Sequence, residues 1–268
     1  MPDAAMPAKG SGRRRHLLGP LLKREIRTRH KGTFGGLYWY VIQNVIIVLI
    51  YSSVFGSILR GMWREEGLGE INFTIVLFLG LIQYNLLSEI LIRAPHQIVQ
   101  NANLVTKVLF PLEILPVILT GVAVFNALVA FCVLLVAAFV LNVPLSWNGL
   151  WLPAVVAPLV IGAVGLAWIL AALGTYVRDV GQVVTLLVTA MMFLSPLFYP
   201  IGMLPEGLRM LVAFNPLTVP IMEARSVLIF GQTPNFTALG IYWLAACSVM
   251  LLGRWIFEKM RGGFADVV

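Results

Sequence analysis

Six apolar windows of about twenty residues set what this chain can fold into. They fall at about 37–59, 73–92, 114–141, 151–176, 183–199 and 236–257. A helix of that length crosses the roughly 30 Å of hydrocarbon in a bilayer, and helices satisfy their own backbone polar groups there. The chain is 59% hydrophobic and 12% charged, with a mean hydropathy of +0.90, where a soluble domain carries about 25% charged residues. The expected fold is therefore an all-α integral membrane protein of six transmembrane helices. The fifth window is the least regular, because "LSPLFYPIGMLP" (194–205) places three prolines at its end, and proline ends or kinks a helix.

Charge orients this bundle. With the N-terminus inside, the inner segments (1–36, 93–113, 177–182 and 254–268) hold fifteen Lys and Arg, and the outer ones (60–72, 142–150 and 200–235) hold four. Positive residues stay in the cytoplasm, so both termini are expected there, and the net charge of +7 reads as topology and lipid contact. A nucleic-acid partner is not expected, since the chain has little water-facing surface for a basic face. The first apolar window is too long for a signal peptide, and no small-residue cleavage site follows it. Cys132 and Cys247 lie inside apolar runs and are expected to pack as small hydrophobes.

The stretch before the first span, "LLKREIRTRHKGTFGGLYWY" (21–40), is basic and then uncharged. At 100° per residue, Leu17, Leu18, Leu21, Leu22 and Ile26 share one half of a helix. Lys23, Arg24 and Arg27 share the other, with Glu25 and Arg29 as exceptions. This pattern predicts an amphipathic interfacial helix over 16–35 on the inner leaflet, after a disordered tail (1–15) and before a six-span domain (36–268). A solvated basic tail is the plainer alternative. The mixed segment 204–235 predicts two short helices dipping into the outer leaflet, covered by protein or by a water-filled cavity.

Motifs for chemistry are missing. The sequence has no GxxxxGK[ST] phosphate loop and no HExxH, and His16, His30 and His96 are far apart, so neither nucleotide nor metal binding is expected of this chain. Outward carboxylates reduce to Glu65, Glu66, Glu70, Glu206 and Glu223, which indicate no acid–base pair. Within a span, Glu89 joins Asn85 and Ser88 on a polar face of "LIQYNLLSEILIR" (81–93). An ionisable residue there is a functional candidate, although pairing with Arg93 one turn on also explains it. In the first span Tyr40, Asn44, Tyr51 and Phe55 lie within an arc of about 60°. Such a polar and aromatic stripe suits passing sugars, and it also suits helix packing.

Four pieces of the sequence together resemble one family. "LLKREIRTRHKGTFGGLYWYVIQNV" is similar to the amphipathic entry segment of ABC-2-type permeases that export cell-surface polysaccharides and teichoic acids. "NLVTKVLFPLEILPV" (103–117), "YVRDVGQVVTLLVTAMMFLSPLFYP" (176–200) and "FNPLTVPIMEARSVLI" (214–229) resemble that family's third-span entry, inner loop with fifth span, and outer re-entrant segment.

The resemblance implies the transmembrane half of an exporter in a bacterial plasma (inner) membrane. Two copies of this chain would surround a conduit for a lipid-linked, O-antigen-like polysaccharide, above two copies of a separate ATPase that holds the ATP and magnesium. The interfacial helix, with Lys23, Arg24, Arg27, Arg29 and Lys31, is then a gate that meets the substrate's charged head. Ala94, His96, Gln97, Gln100, Asn101 and Asn103 lie in the segment that docks the ATPase. Arg178 and Asp179 match the family's RD pair and, with Glu89 and Arg93, would tie inner helix ends together. The first and fifth spans of the family line the conduit. That assigns it Tyr40, Asn44, Tyr51 and Phe55, with Met192, Ser195 and Tyr199, which share a helical face where the fifth span is continuous past Pro196. The rival readings are a permease for teichoic acid, capsule or a small lipid or drug, and, more remotely, a membrane glycosyl or acyl transferase.

Overall fold

The computed structural model describes residues 11–30, 37–58, 73–106 and 110–267, and every regular element among them is helical. In chain order these are α1 (Ser11–His30), α2 (Leu37–Ile58), α3 (Phe73–Arg93), α4 (Ala102–Thr106) and α5 (Ile114–Val140). Then come α6 (Leu152–Tyr176), α7 (Val180–Phe193), α8 (Glu206–Phe214), α9 (Thr218–Leu228), α10 (Phe236–Met260) and α11 (Phe264–Val267). All six apolar windows become helices. Four stretches are long and apolar enough to cross a membrane: Phe73–His96, Ile114–Val140, Trp147–Tyr176 and Phe236–Gly263. The chain is an integral membrane protein.

Local chemistry sets the boundaries. Asn235 caps α10 by accepting hydrogen bonds from the Thr237 and Ala238 amides, which supplies two of the donors a helix start leaves unpaired. Ser146 accepts from the Asn148 amide at the turn that leads into α6, and Pro153 sits in the first turn of α6, where its missing N–H costs nothing.

Helix α3 is the centre of the bundle, with Phe73 to Gln83 buried along its first half and α2, α5, α6, α7 and α9 packed around it. Helices α6 and α10 cross at two glycines. A Cβ on Gly165 would meet the Val249 and Met250 backbone at 2.5–2.6 Å, and one on Gly253 would meet Gly165. Small residues let such helices touch backbone to backbone. The faces turned away from this core are apolar, as with Phe139 on α5, Leu186 on α7 and Leu244 on α10. Cys132 belongs to such an exposed apolar face and Cys247 is half-buried.

Helix α7 has 14 residues, about 21 Å at 1.5 Å per residue, so alone it falls short of the hydrocarbon thickness. It stops at Phe193, three residues before Pro196, because the residues before a proline avoid the helical region. The expected continuous face from Met192 to Tyr199 is therefore broken.

The broken end is closed by side chains. Asn215 donates to Met191 O at 3.0 Å, Ser195 to Met192 O at 2.9 Å and Tyr199 to Phe193 O at 2.6 Å. Beyond them the Arg225 guanidinium, 3% exposed, donates to Pro196 O, Leu197 O and Val76 O at 2.5, 3.0 and 3.2 Å. Gly80 makes the room, since a Cβ there would stand 2.7 Å from Leu197 and 3.2 Å from Arg225. Irregular backbone between helices persists only when its carbonyls find such donors. Burial draws the Arg225 pKa down to about 9, still above neutral pH, so the group stays charged. By the partition of Lys and Arg, Arg225 is an outer-loop cation; the fold makes it a buried clamp instead. The signal was an arginine inside the apolar run "VPIMEARSVLIF" facing a proline-rich break short of donors.

Candidate functional site

The opposite end of the bundle carries α1 and the connection from α3 to α5. Leu21, Leu22 and Ile26 of α1 are half-buried while Lys23, Arg24 and Arg27 are exposed, as the amphipathic pattern requires. The apolar side lies on α5, where Leu22 meets Gly121 so closely that an added Cβ would sit 2.9 Å from it. Helix α1 begins at Ser11, ahead of the expected start at 16.

Between α1, the end of α3 and the start of α5 lies a cavity of about 420 Å³, lined on its polar side by Arg24, Glu25, Arg93, His96, Gln100 and Asn101. Two groups of residues assigned to separate roles, the gate helix and the docking segment, thus meet in one pocket. Three of its side chains are cationic or can become so, and planar guanidinium groups suit phosphate or carboxylate. Lys31 lies outside the described residues, as do the side chains of Arg29 and Phe55.

The connecting segment is two 3-10 turns and the short α4. Ile98 and Ala94 are fully buried, so Ala94 anchors the segment and offers no outward surface. His96, Gln100 and Asn103 are exposed, with Gln97 and Asn101 partly so, and Asn101 donates to Gln97 O at 2.8 Å. Glycines on α6 and α7 fit this segment tightly. A Cβ on Gly174 would reach the Pro95 backbone, and one on Gly181 would stand 2.7 Å from the His96 imidazole.

The tie expected of Arg178 and Asp179 is made by other residues, because both are exposed. Arg261, after α10, pairs with Glu113 at 3.2 Å, Trp168 donates to Glu113 O at 3.0 Å, and Tyr176 donates to Met260 O at 2.7 Å. Phe257 and Phe264 stack edge to face beneath them, 5.5 Å apart. These partners are 55 to 148 residues apart in sequence, which is why no local pattern announced them.

One helical turn above the cationic pocket sits Glu89. It accepts from Asn126 Nδ2 at 2.9 Å and stands 3.8 Å from Arg93 Nε, so the expected link to Arg93 is present but loose. Glu89 borders a notch of about 10 Å³ with Tyr40, Asn85 and Asn126. It also borders an open groove of about 510 Å³ between α2 and α3, lined on its polar side by Tyr40, Gln43, Asn44, Asn85 and Ser88. Asn44 is 4% exposed and bonds Tyr40 O at 2.8 Å, and Tyr51 packs on the core. The polar part of the expected stripe is therefore its lower half, joined by Gln43, which the stripe had omitted. Met192 is half-exposed, while Ser195 is fully buried and bonded to backbone, so it has no surface to offer a conduit.

Residues 16–230 match the family described as ABC-2 type transporter. The chain belongs to that family. Similarity to individual ABC-2 proteins runs almost end to end. It is 27% identical over 258 residues to the O-antigen export system permease protein RfbA of Myxococcus xanthus, covering 95% of this chain and 96% of the relative. It is 24% identical over 253 residues to the RfbA of Klebsiella pneumoniae, covering 94% and 95%. The polysialic acid transport protein KpsM of Escherichia coli is 23% identical over 247 residues, covering 89% and 91%. The ABC-2 chain thus has a cationic pocket and a polar groove at one end of its bundle and a sealed, clamped break at the other.

Proposed function

We propose that this chain is the transmembrane subunit of an ATP-driven exporter that moves a lipid-linked, O-antigen-like polysaccharide out of the cytoplasm. The carrying observation is the near-full-length likeness to O-antigen export permeases; the site supplies chemistry that suits such a cargo. The α1 end faces the cytoplasm of a bacterial inner membrane, in line with the partition of Lys and Arg. Arg24, Arg93 and His96, with Lys23 and Arg27 on the same helix as Arg24 and with Arg29 and Lys31 following in sequence, receive the anionic lipid head. The α2–α3 groove and the α7 face that includes Met192 line the glycan's path between two copies of the chain. Helices α2 and α7 complete six spans, with α7 extended by the clamped segment 194–200, and α8 and α9 form the re-entrant pair.

A separate ATPase, in two copies, docks on the exposed part of the 94–109 connection around Gln100 and Asn103, and nucleotide binding there moves α1 and α3 together because they share one pocket. A capsule-type polymer is the second reading, favoured by the likeness to KpsM. The test is ATP hydrolysis by this chain purified in lipid with and without its ATPase, with and without a lipid-linked glycan. Hydrolysis that needs both chains and responds to the glycan is the expected result. A complex that ignores the glycan contradicts the substrate, and failure to form a complex contradicts the subunit role.

A further inference from the structure

The groove between α2 and α3 carries polar side chains on both of its walls. Gln43 and Asn85 are exposed on its two walls, and Ser88 and Glu89 are partly exposed at its floor. These residues lie roughly 6 to 12 Å from the helix ends, counting 1.5 Å per residue from Arg93 and from Leu37. At that depth amides and a carboxylate do not face acyl chains; they face water, protein or a ligand.

Asn126 holds the carboxylate from behind. Its Nδ2 donates to one Glu89 oxygen at 2.9 Å, and its own Oδ1, buried in the notch, has no hydrogen-bond partner among the described residues. The notch therefore fixes the Glu89 side chain while the adjoining groove stays open. Arg93 is half-exposed and its nitrogen is 3.8 Å away, beyond hydrogen-bond distance.

Charge is ordered along α3. The cationic pocket of Arg24, Arg93 and His96 comes first, and the carboxylate with amides and a hydroxyl comes one turn deeper. An anion entering from the α1 end is attracted at the rim and repelled at the next turn. A hydroxyl-rich uncharged ring meets donors and acceptors on the groove's polar side, with the Tyr40 ring, Ile46 and Ile47 to pack against its apolar face.

Resting on the exporter reading above, we propose that the groove is a sugar-recognition station and that Glu89 makes it select uncharged sugars over acidic ones. The anionic head stays at the rim while the first sugars occupy the groove. Glu89 is then a specificity-determining residue as well as a partner of Arg93 and Asn126.

The experiment uses the complex of this chain with its ATPase in lipid vesicles and two probes: a polyprenyl-diphosphate-linked oligohexose, and the same oligomer with hexuronic acid replacing hexose. Wild type is expected to half-saturate at roughly fivefold lower concentration of the neutral probe, the scale of one like-charge contact in a wet site. Glu89→Gln keeps the oxygen that accepts from Asn126 and should bring the two probes within about twofold of each other. Gln43→Glu, on the opposite wall, should widen the preference, so the idea is tested even where Glu89→Gln fails to assemble. Equal response to both probes in wild type, or a preference that neither substitution shifts, overturns the selection by Glu89 and leaves the exporter intact. A complex stimulated by neither probe overturns the exporter reading, and this inference with it.

Discussion

Arg225 and Glu89 are both charged side chains set between helices, and their surroundings are opposites. Arg225 is sealed, its guanidinium distributed over three backbone carbonyls from two separate elements. Glu89 accepts from Asn126, stands 3.8 Å from Arg93 and borders two cavities. A buried charge that donates to backbone carbonyls of an irregular segment is structural, because removing it takes away the donors that segment relies on. A charge that keeps an open side is available to something else. The end of the bundle that holds Arg225 is thus the fixed end, and the end that holds Glu89 is where the molecule has polar surface to use.

The largest expected effect comes from breaking the fixed end. Arg225→Ala leaves the Pro196 and Leu197 carbonyls without their donor, removes a second donor from the helical Val76 carbonyl and opens a void beside Gly80, at a cost of about 3–5 kcal/mol. Arg225→Lys keeps the charge but cannot span three diverging acceptors, and should recover less than half of that loss. Thermal unfolding in detergent measures both; a wild-type melting curve for Arg225→Ala would remove the distinction between the two ends.

Next in size is Gly174→Ala. The added Cβ meets the Pro95 backbone, which cannot swing aside as a side chain can, so overpacking should cost about 1–3 kcal/mol. It should also loosen the segment assigned to ATPase docking, read as weaker complex formation on titration with the ATPase. Gly207, with open space around it, is the control, and Gly207→Ala should leave both quantities unchanged.

A smaller effect is expected at the Glu113–Arg261 pair, where Glu113 is largely buried and Arg261 is about half-exposed. Arg261→Ala should cost about 1 kcal/mol, and a double-mutant cycle with Glu113→Gln should return most of it as coupling. The pair Arg254–Glu258, with both partners about half-exposed, should give less than about 0.5 kcal/mol. Equal couplings for the two pairs would show that the tie at the α1 end is solvated rather than structural.

Much of this fold was legible in the sequence because hydropathy is a one-dimensional property. Five of the six apolar windows became helices within a few residues of their expected bounds, and Pro196 announced the early end of the other, α7. The amphipathic face of α1 was readable for the same reason, since Leu21, Leu22 and Ile26 repeat at helical spacing. What was not legible depends on contacts between distant residues. Arg225 looks like a loop cation until Gly80, 145 positions earlier, is seen to make room for it. Glu113 looks like an ordinary acid until Arg261 arrives from beyond α10. At the site, Arg93 four residues from Glu89 could be read locally, but Asn126, 37 residues on, could not. The stripe on α2 was found by its period, while the groove needed α3 as a second wall.

Vesicles carrying this chain with its ATPase, loaded with ATP on the α1 side and given a lipid-linked neutral glycan there, test the central claim most directly. The account predicts ATP-dependent arrival of the glycan at the far face, at a rate that falls when Arg24 and Arg93 are neutralised together while insertion and melting temperature hold. Glycan that stays on the α1 side despite an assembled, ATP-hydrolysing complex would contradict it.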